Sequence, residues 1–422
     1  MAAATTTDYD QRKYDLVVFG ATGFTGALTC EYLAEIQDKD LKWALAGRNL
    51  AKLEKVRERL TELDSSLKDI DLLIADSSQP DTLDQVLSQT RVVISTVGPF
   101  IKYGTPLVEA CVRQKTHYVD TTGEHPWIKR IIDTLDDKAK ERNVIIVPTC
   151  GFDSVPSDLG VYMLSEYVHN KHNLDLASVK MSVTKIVGAA SGGTIQSSIG
   201  VLMDSSITRQ QQMDPYLLAT HRGVDKPALP IMKRDHDFGN TWQAFFVMSA
   251  INEKVVRRSW SIWADRGKSY GNLFSYRETS SASFLKAFLI TSFLYTVFPI
   301  FGMLLKVPFL RKKIINALPG SGDGPNAEAR AKGCFDFEFV GIAESEPYDE
   351  PVRVRGIVKG FRDPGYGDTC RMVAESALCI IKSLKDLPGK EGGILTPATA
   401  FGNVLLDRLR HNNGMVFEVK DI

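Results

Sequence analysis

Residues 17–26 read Val-Val-Phe-Gly-Ala-Thr-Gly-Phe-Thr-Gly. An apolar run feeds directly into Gly20, Gly23 and Gly26 and then into a helical pattern, so the stretch predicts a strand over Tyr14–Phe19, a tight turn and a helix. In such a turn Gly20 permits the change of direction, Gly23 lets backbone approach a pyrophosphate, and Gly26 lets the helix pack close on the strand. The helix N-terminus offers unpaired N–H groups to phosphate oxygens. Gly20, Thr22, Gly23, Phe24, Thr25 and Gly26 are therefore candidate dinucleotide contacts.

A second strand over Lys42–Ala46 follows about twenty residues on, as a βαβ unit requires. It ends in Gly47-Arg48-Asn49, where chains that bind NAD place an acid. No carboxylate stands at that tip. The guanidinium of Arg48 suits a 2′-phosphate through its planar fork of donors, and the missing acid removes a repulsion, so NADPH is the expected cofactor and NADH the less favoured one.

The bulk properties narrow the function class. A chain of 422 residues with 44% hydrophobic content is long enough for two cores. Lys+Arg and Asp+Glu each number 51, so no overall field attracts nucleic acid, and none is expected as a partner. The cysteines at 30, 111, 150, 334, 370 and 379 include no CxxC pair, which suits a reducing compartment. His169 and His172 lack acidic or cysteine companions at ligand spacing, and no metal is expected. Met1 to Arg12 has no apolar run of a secretory signal and reads as a disordered leader over 1–12.

Apolar runs at Asp71–Ala75, Val92–Thr96, Tyr118–Asp120 and Val144–Pro148 each follow an amphipathic stretch. That rhythm predicts an α/β doubly wound parallel sheet of Rossmann type over 13–165. Ligands in such sheets sit beyond the carboxyl ends of the strands. Asp76, Thr96, Val97, Gly98, Pro99, Gly123 and Cys150 are then candidates for the cofactor. Asp120, Glu124, Asp153, Ser154 and the run Ser191, Gly192, Gly193, Thr194 are candidates for the substrate. After about residue 175 longer strands appear at Val179–Val187, Cys334–Ile342 and Val352–Phe361, and a polar turn joins the last two as an antiparallel hairpin. They predict a smaller α+β substrate domain over 175–365. A helix over Gly365–Leu384 and another over Thr399–Leu409 predict a tail, 366–422, that returns to the first domain.

One segment stands apart. Ala287 to Leu305 carries no charge in 19 residues, including Phe288, Phe293, Tyr295, Phe298 and Phe301, and is followed by Lys306, Arg311, Lys312 and Lys313. Pro299 divides the run, so a helical hairpin within 284–313, dipping into one leaflet with its cations at the headgroups, is expected. A buried helix pair or a homodimer contact is the competing account.

With these strand ends written out, the chain resembles the saccharopine dehydrogenase-like oxidoreductases, a family that includes lipid-droplet-associated animal members and the trans-acting enoyl reductases of bacterial lipid synthesis. The resemblance rests on Gly20-Ala-Thr-Gly-Phe-Thr-Gly26, Ala46-Gly47-Arg48, Gly98-Pro99-Phe100 with Tyr103-Gly104, Tyr118-Val-Asp-Thr-Thr-Gly-Glu124, Cys150-Gly-Phe-Asp-Ser-Val-Pro-Ser-Asp158 and Ser191-Gly-Gly-Thr194. It runs over nearly the whole chain and implies a Rossmann domain closed by a smaller mixed domain, with NAD(P)H in the cleft between them. It also favours attachment through 287–305 to the cytoplasmic side of an intracellular membrane or to a lipid droplet.

Hydride transfer needs a proton donor, and the phenol of Tyr103, just after Gly98-Pro99, is the candidate; a half-buried helix position explains it equally. Asp120 and Glu124 bracket a turn, where either two coupled carboxylates or helix caps would stand. Cys150 reads as a buried thiol, and Asp153-Ser154 as helix caps or ligand contacts. The N–H groups of 191–194 would receive a substrate carboxylate or phosphate. Three functions stay open. The first is an NADPH-dependent enoyl or carbonyl reductase acting on a lipophilic substrate. The second is a saccharopine-type imine reductase, which needs several arginines converging on the cleft. The third is a non-catalytic membrane or lipid-droplet organiser that keeps its cofactor site.

Overall fold

The computed structural model describes residues 11–188, 192–204, 206–229, 231–317, 324, 326–346, 348, 350–411 and 414–422. Its first sheet is built from β1 (Tyr14–Phe19), β2 (Trp43–Gly47), β3 (Leu72–Ile74), β4 (Thr90–Ser95), β5 (His117–Asp120) and β6 (Ile145–Val147). Between them run α1 (Phe24–Ile36), α2 (Leu50–Leu63), α3 (Pro80–Leu87), α4 (Phe100–Gln114) and α5 (His125–Glu141), and α6 (Val155–His172) leads out of the sheet.

The second half contributes β7 (Leu176–Val187), α7 (Gly192–Met203), a short α8 (Arg209–Gln212), β8 (Lys233–Asp235), β9 (Thr241–Ala244), α9 (Ser249–Asp265) and β10 (Ser275–Ala282). Then follow α10 (Phe284–Lys306), α11 (Pro308–Ala317), α12 (Ala327–Ala331), β11 (Cys334–Ala343) and β12 (Arg353–Gly360). The tail holds α13 (Thr369–Ser383), β13 (Gly393–Ile394), α14 (Pro397–Phe401), α15 (Asn403–Arg410) and β14 (Val416–Asp421).

Among the described residues these strands form two seven-stranded sheets. The first runs β13-β6-β5-β4-β1-β2-β3, with every pairing parallel, which is the doubly wound order with one strand added. Its strands are mostly apolar because both faces are covered. Leu16 and Val18 of β1 point into the core under α1 and α13, whereas Val17 and Phe19 point into the core under α3, α4 and α5. The second sheet runs β14-β12-β11-β7-β10-β9-β8 and is antiparallel except for β7 with β10. Alternate residues of β11, namely Phe335, Phe337 and Phe339, are buried, and Gly160 of α6 gives the Phe339 ring its room.

Several expectations change here. Arg12, placed in a disordered leader, is anchored: its guanidinium is buried and donates to Thr116 Oγ1 at 2.9 Å, while residues 1–10 lie outside the described ones. The tail is more than returning helices, since β13 pairs with β6 and β14 pairs with β12. The helix expected over Thr399–Leu409 is broken at Gly402, whose φ of 50° suits glycine, into α14 and α15. Pro299 does not split the apolar run into a hairpin. α10 continues through it as one helix, because a proline removes a single backbone donor and leaves the other turns bonded. Nor is that helix a core element: Phe288, Leu289, Phe293, Ile300 and Met303 all stand more than half exposed, while Ala287 and Leu305 near its two ends are buried and the Phe284 ring packs against Trp242.

The insertion leaves and re-enters the second sheet at one end. β10 runs parallel to β7 and finishes at Ala282, and β11 runs antiparallel to β7 and starts at Cys334, opposite Val187. Both junctions therefore lie where β7 ends.

Candidate active site

The phosphate-binding turn follows from close backbone packing. Gly20 has φ of 92°, the left-handed region open to glycine, and its carbonyl accepts the Gly23 N–H at 2.9 Å. A side chain on Gly20 would come within 2.7 Å of Val97 Cγ2 and 2.8 Å of Thr96 Oγ1, and a Cβ on Gly26 would overlap the Gly20 carbonyl oxygen. No side chain caps α1, whose N-cap is Gly23, so its first N–H groups are free for an oxyanion. Thr96 and Val97 buttress this turn, with Thr96 Oγ1 bonded to the carbonyl of Phe19 at 3.2 Å.

At the tip of β2, Arg48 is exposed, and Asn49 caps α2 by accepting the Lys52 N–H at 3.0 Å. Asp76, beyond β3, is held below the usual carboxylate range by the Ser78 N–H, with the Arg48 charge adding in the same direction. A glycine cradle that a Cβ on Gly20 or Gly26 would fill, and a guanidinium on a β2 tip that itself carries no acid, fit NADP(H). Gly20, Gly23, Phe24, Thr25 and Gly26 would hold its pyrophosphate and Arg48 its 2′-phosphate.

The carboxyls beyond β5 and β6 differ sharply. Asp120 is fully buried, and burial pushes it up to about 7, while the Thr122 N–H, the Tyr118 hydroxyl and the Thr149 N–H pull the other way. The charge of Glu124 is the smallest contributor, so burial rather than carboxylate coupling sets Asp120. Glu124 is raised mainly by burial as well, but it accepts the N–H groups of Phe100 at 2.9 Å and Ile101 at 2.7 Å. It caps α4 directly after Gly98-Pro99, and Ser197 of α7 also bonds to it. Ser154 is buried and donates to Asn252 Oδ1 of α9 at 3.3 Å, away from any opening. The Cys150 thiol likewise points inward, to the Val147 carbonyl at 3.3 Å, and burial drives it far above its ordinary value, so it cannot meet a cofactor.

Asp153 alone of these acids faces open space. It lines a cavity of about 250 Å³ together with Thr121, Gly151 and Phe152 at the ends of β5 and β6, and with Thr25 in the first turn of α1. The opposite wall comes from the second half of the chain: Ile186 and Gly188 at the end of β7, Pro364, Gly365 and Tyr366 after β12, and Thr369 at the start of α13. Gly123 packs on Asp153, whose Oδ2 would lie 3.0 Å from a Cβ at that glycine.

Tyr103 is not among the lining residues; it lies one turn into α4, half-buried, with the Lys102 ammonium 4.8 Å from its ring centre. Gly192, Gly193 and Thr194 open α7, and Ser191 lies outside the described residues. Ile186, Gly188, Pro364, Gly365, Tyr366 and Thr369 escaped the sequence reading because no motif marks them; only the packing of the second half of the chain brings them over the first sheet.

Fold and site together define a nicotinamide-dinucleotide oxidoreductase. Residues 16–147 match the saccharopine dehydrogenase NADP binding domain family. The chain is 35% identical over 416 residues to a Mycobacterium tuberculosis protein provisionally named a trans-acting enoyl reductase, covering 94% of this chain and 96% of that one. It is 32% identical to the trans-acting enoyl reductase of Mycobacterium leprae, covering 95% and 96%. Apo saccharopine dehydrogenase (L-Glu forming) from Saccharomyces cerevisiae shares the fold with a TM-score of 0.55 at 12% identity, over 97% of this chain and 100% of that one. The chain belongs to the saccharopine dehydrogenase-like oxidoreductases, related to the trans-acting enoyl reductases, and its cofactor is NADP(H).

The cradle generates a test. Gly26→Ala must push α1 off the Gly20 carbonyl, at about 2 kcal/mol, and should weaken NADPH about 30-fold in a fluorescence titration while circular dichroism stays unchanged.

Proposed function

We propose that this oxidoreductase uses NADPH to reduce a C=C or C=O bond of a lipophilic, lipid-like substrate by hydride transfer at the surface of a membrane or lipid droplet. The chemistry of the cavity walls carries the reading. Apart from Asp153 and Tyr366 they are hydroxyl, glycine and apolar groups, with no lysine or arginine among the described residues. A saccharopine-type reaction would bring two or more carboxylates into the site and needs cations there. The arginines that would serve are engaged elsewhere. Arg222 pairs with Asp214, Arg257 with Asp225 and Glu253, and Arg277 with Glu253; Arg258 is bonded to the carbonyls of Leu218 and Ile394, and Arg209 starts the exposed α8. An uncharged acceptor suits such walls better, and the enoyl reductase names of the relatives favour an enoyl or carbonyl group.

The apolar insertion supports a lipid surface. α10 has 23 residues, its most apolar 18-residue stretch has a mean hydropathy of 2.0, and at about 35 Å it is long enough to cross a bilayer. Its connections argue against crossing. The chain leaves from β10 and must return to β11, on the other side of β7, and α11, with 10 residues, spans only about 15 Å. A non-helical return through hydrocarbon would strand backbone N–H and C=O groups. α10 lying along the interface, with Lys306, Arg311, Lys312 and Lys313 at the headgroups, meets both constraints. The insertion springs from the end of the second sheet at which Ile186 and Gly188 meet the cavity, so a substrate taken from the surface has a short path to the site.

Three measurements test this reading. NADPH oxidation followed against long-chain enoyl thioesters, enones, aldehydes and ketones should find turnover with acyl-chain acceptors and none with amino-acid semialdehyde mixtures; tight NADPH binding without any turnover would favour the organiser function instead. Arg48→Ala should weaken NADPH about 10- to 100-fold and leave NADH affinity unchanged, as loss of a charge-assisted phosphate contact requires. Deleting 284–313 should abolish co-flotation with phospholipid vesicles while NADPH still binds, and undiminished flotation would remove the insertion as the anchor.

A further inference from the structure

The doubly wound order divides the crest of the first sheet. The adenine half of a dinucleotide lies over β2 and β3, and the nicotinamide half over β4, β5 and β6. The cavity holding Asp153 begins at Thr25, on the phosphate-binding turn, and continues over the ends of β5 and β6, along the course of the nicotinamide half. Its carboxyl accepts none of the backbone N–H groups that occupy Asp120 and Glu124. Resting on the reductase reading above, we propose that Asp153 supplies the proton of the reduction, its carboxyl standing beside the nicotinamide and the acceptor.

The balance is simple. The acceptor takes a hydrogen with its electron pair from the reduced nicotinamide at one atom of its double bond. At the other atom it takes the Asp153 proton, leaving oxidised nicotinamide and a carboxylate that regains a proton from water. Burial pushes Asp153 up to about 6, so a useful fraction carries the proton near neutrality. Among the described residues the groups that share its cavity or pack on it are neutral: Thr25 of α1, Thr121 and Gly123 beyond β5, Ile186 and Gly188 of the β7 end, and Tyr366 and Thr369 by α13. The nearest other acids of the strand ends, Asp120 and Glu124, are held by backbone N–H groups.

The placement can be tested without a substrate. Oxidised nicotinamide is a cation and the reduced ring is neutral, so an ionised Asp153 tightens NADP⁺ but not NADPH. As pH rises through the Asp153 titration, the ratio Kd(NADPH)/Kd(NADP⁺) of the full-length protein should increase about three- to tenfold between pH 5 and pH 8. The 2′-phosphate is common to both nucleotides and cancels. Asp153→Asn and Asp153→Ala, with folding checked by circular dichroism, should both hold the ratio at its low-pH value. A flat ratio in the unmodified protein, or a pH-dependent one that persists in both variants and so belongs to Asp120, would overturn the assignment while leaving the reductase reading intact. Failure of the acceptor panel alone would remove the reading and leave the ratio unaltered. Failure to bind either nucleotide would remove both.

Discussion

Everything at the crest of the first sheet depends on how closely α1 approaches the end of β1. Gly26 lies against the carbonyl of Gly20 with no space for a methyl group, and this contact aims the helix N-terminus at the place where phosphates bind. The contact is held from behind. The Cys370 thiol of α13 reaches the Thr25 carbonyl at 3.5 Å, and Tyr32 of α1 donates to Glu375 of α13 at 2.7 Å, a carboxylate that also pairs with Arg408 of α15. α13 occupies the face over β4 and β5 that α1 and α2 leave open, and the turn that leads into it, Pro364 to Asp368, forms one wall of the cavity. One buried helix thus fixes both the dinucleotide turn and the far side of the site.

Burial treats the strand-end carboxyls alike, since it raises Asp120, Glu124 and Asp153, yet their partners separate their roles. Asp120 organises the ends of β5 and β6; one of the N–H groups it accepts belongs to Thr149, a β-branched residue with φ of 65° that needs such support. Glu124 ties the loop after β4 to α7 through Ser197. These two acids build the floor, and Asp153 is left open to a ligand. The Glu124 bridge also means that the second half of the chain reaches the Gly98-Pro99 loop directly.

Much of the first sheet was legible because its signals are local. The glycine turn, the acid-free tip at Arg48 and the apolar runs up to Val147 each need only a few adjacent residues, and their periods are those of buried parallel strands. The second sheet was legible in part. β7, β11 and β12 are long and apolar, whereas β8, β9 and β10 are rich in charged and hydroxyl residues that mask a strand pattern, and β13 is too short to carry one. The cavity wall was hidden for another reason: Ile186 and Tyr366 lie far apart in sequence, and only the crossing of two sheets joins them. Pro299 points to a break by the local helix-breaking rule, yet the continuous apolar run carries α10 through it.

The strand Val416–Asp421 closes one edge of the second sheet, and Gly393–Ile394 closes one edge of the first. During synthesis both sheets therefore wait for residues 393–422 before their final hydrogen-bond ladders can form. Until that moment the exposed rims of β6 and β12 are sticky templates, in a nascent chain that has already released the greasy helix α10. Completion of the two halves is in this way tied to one stretch of chain, and until it docks there are two open borders and one apolar rod to shield.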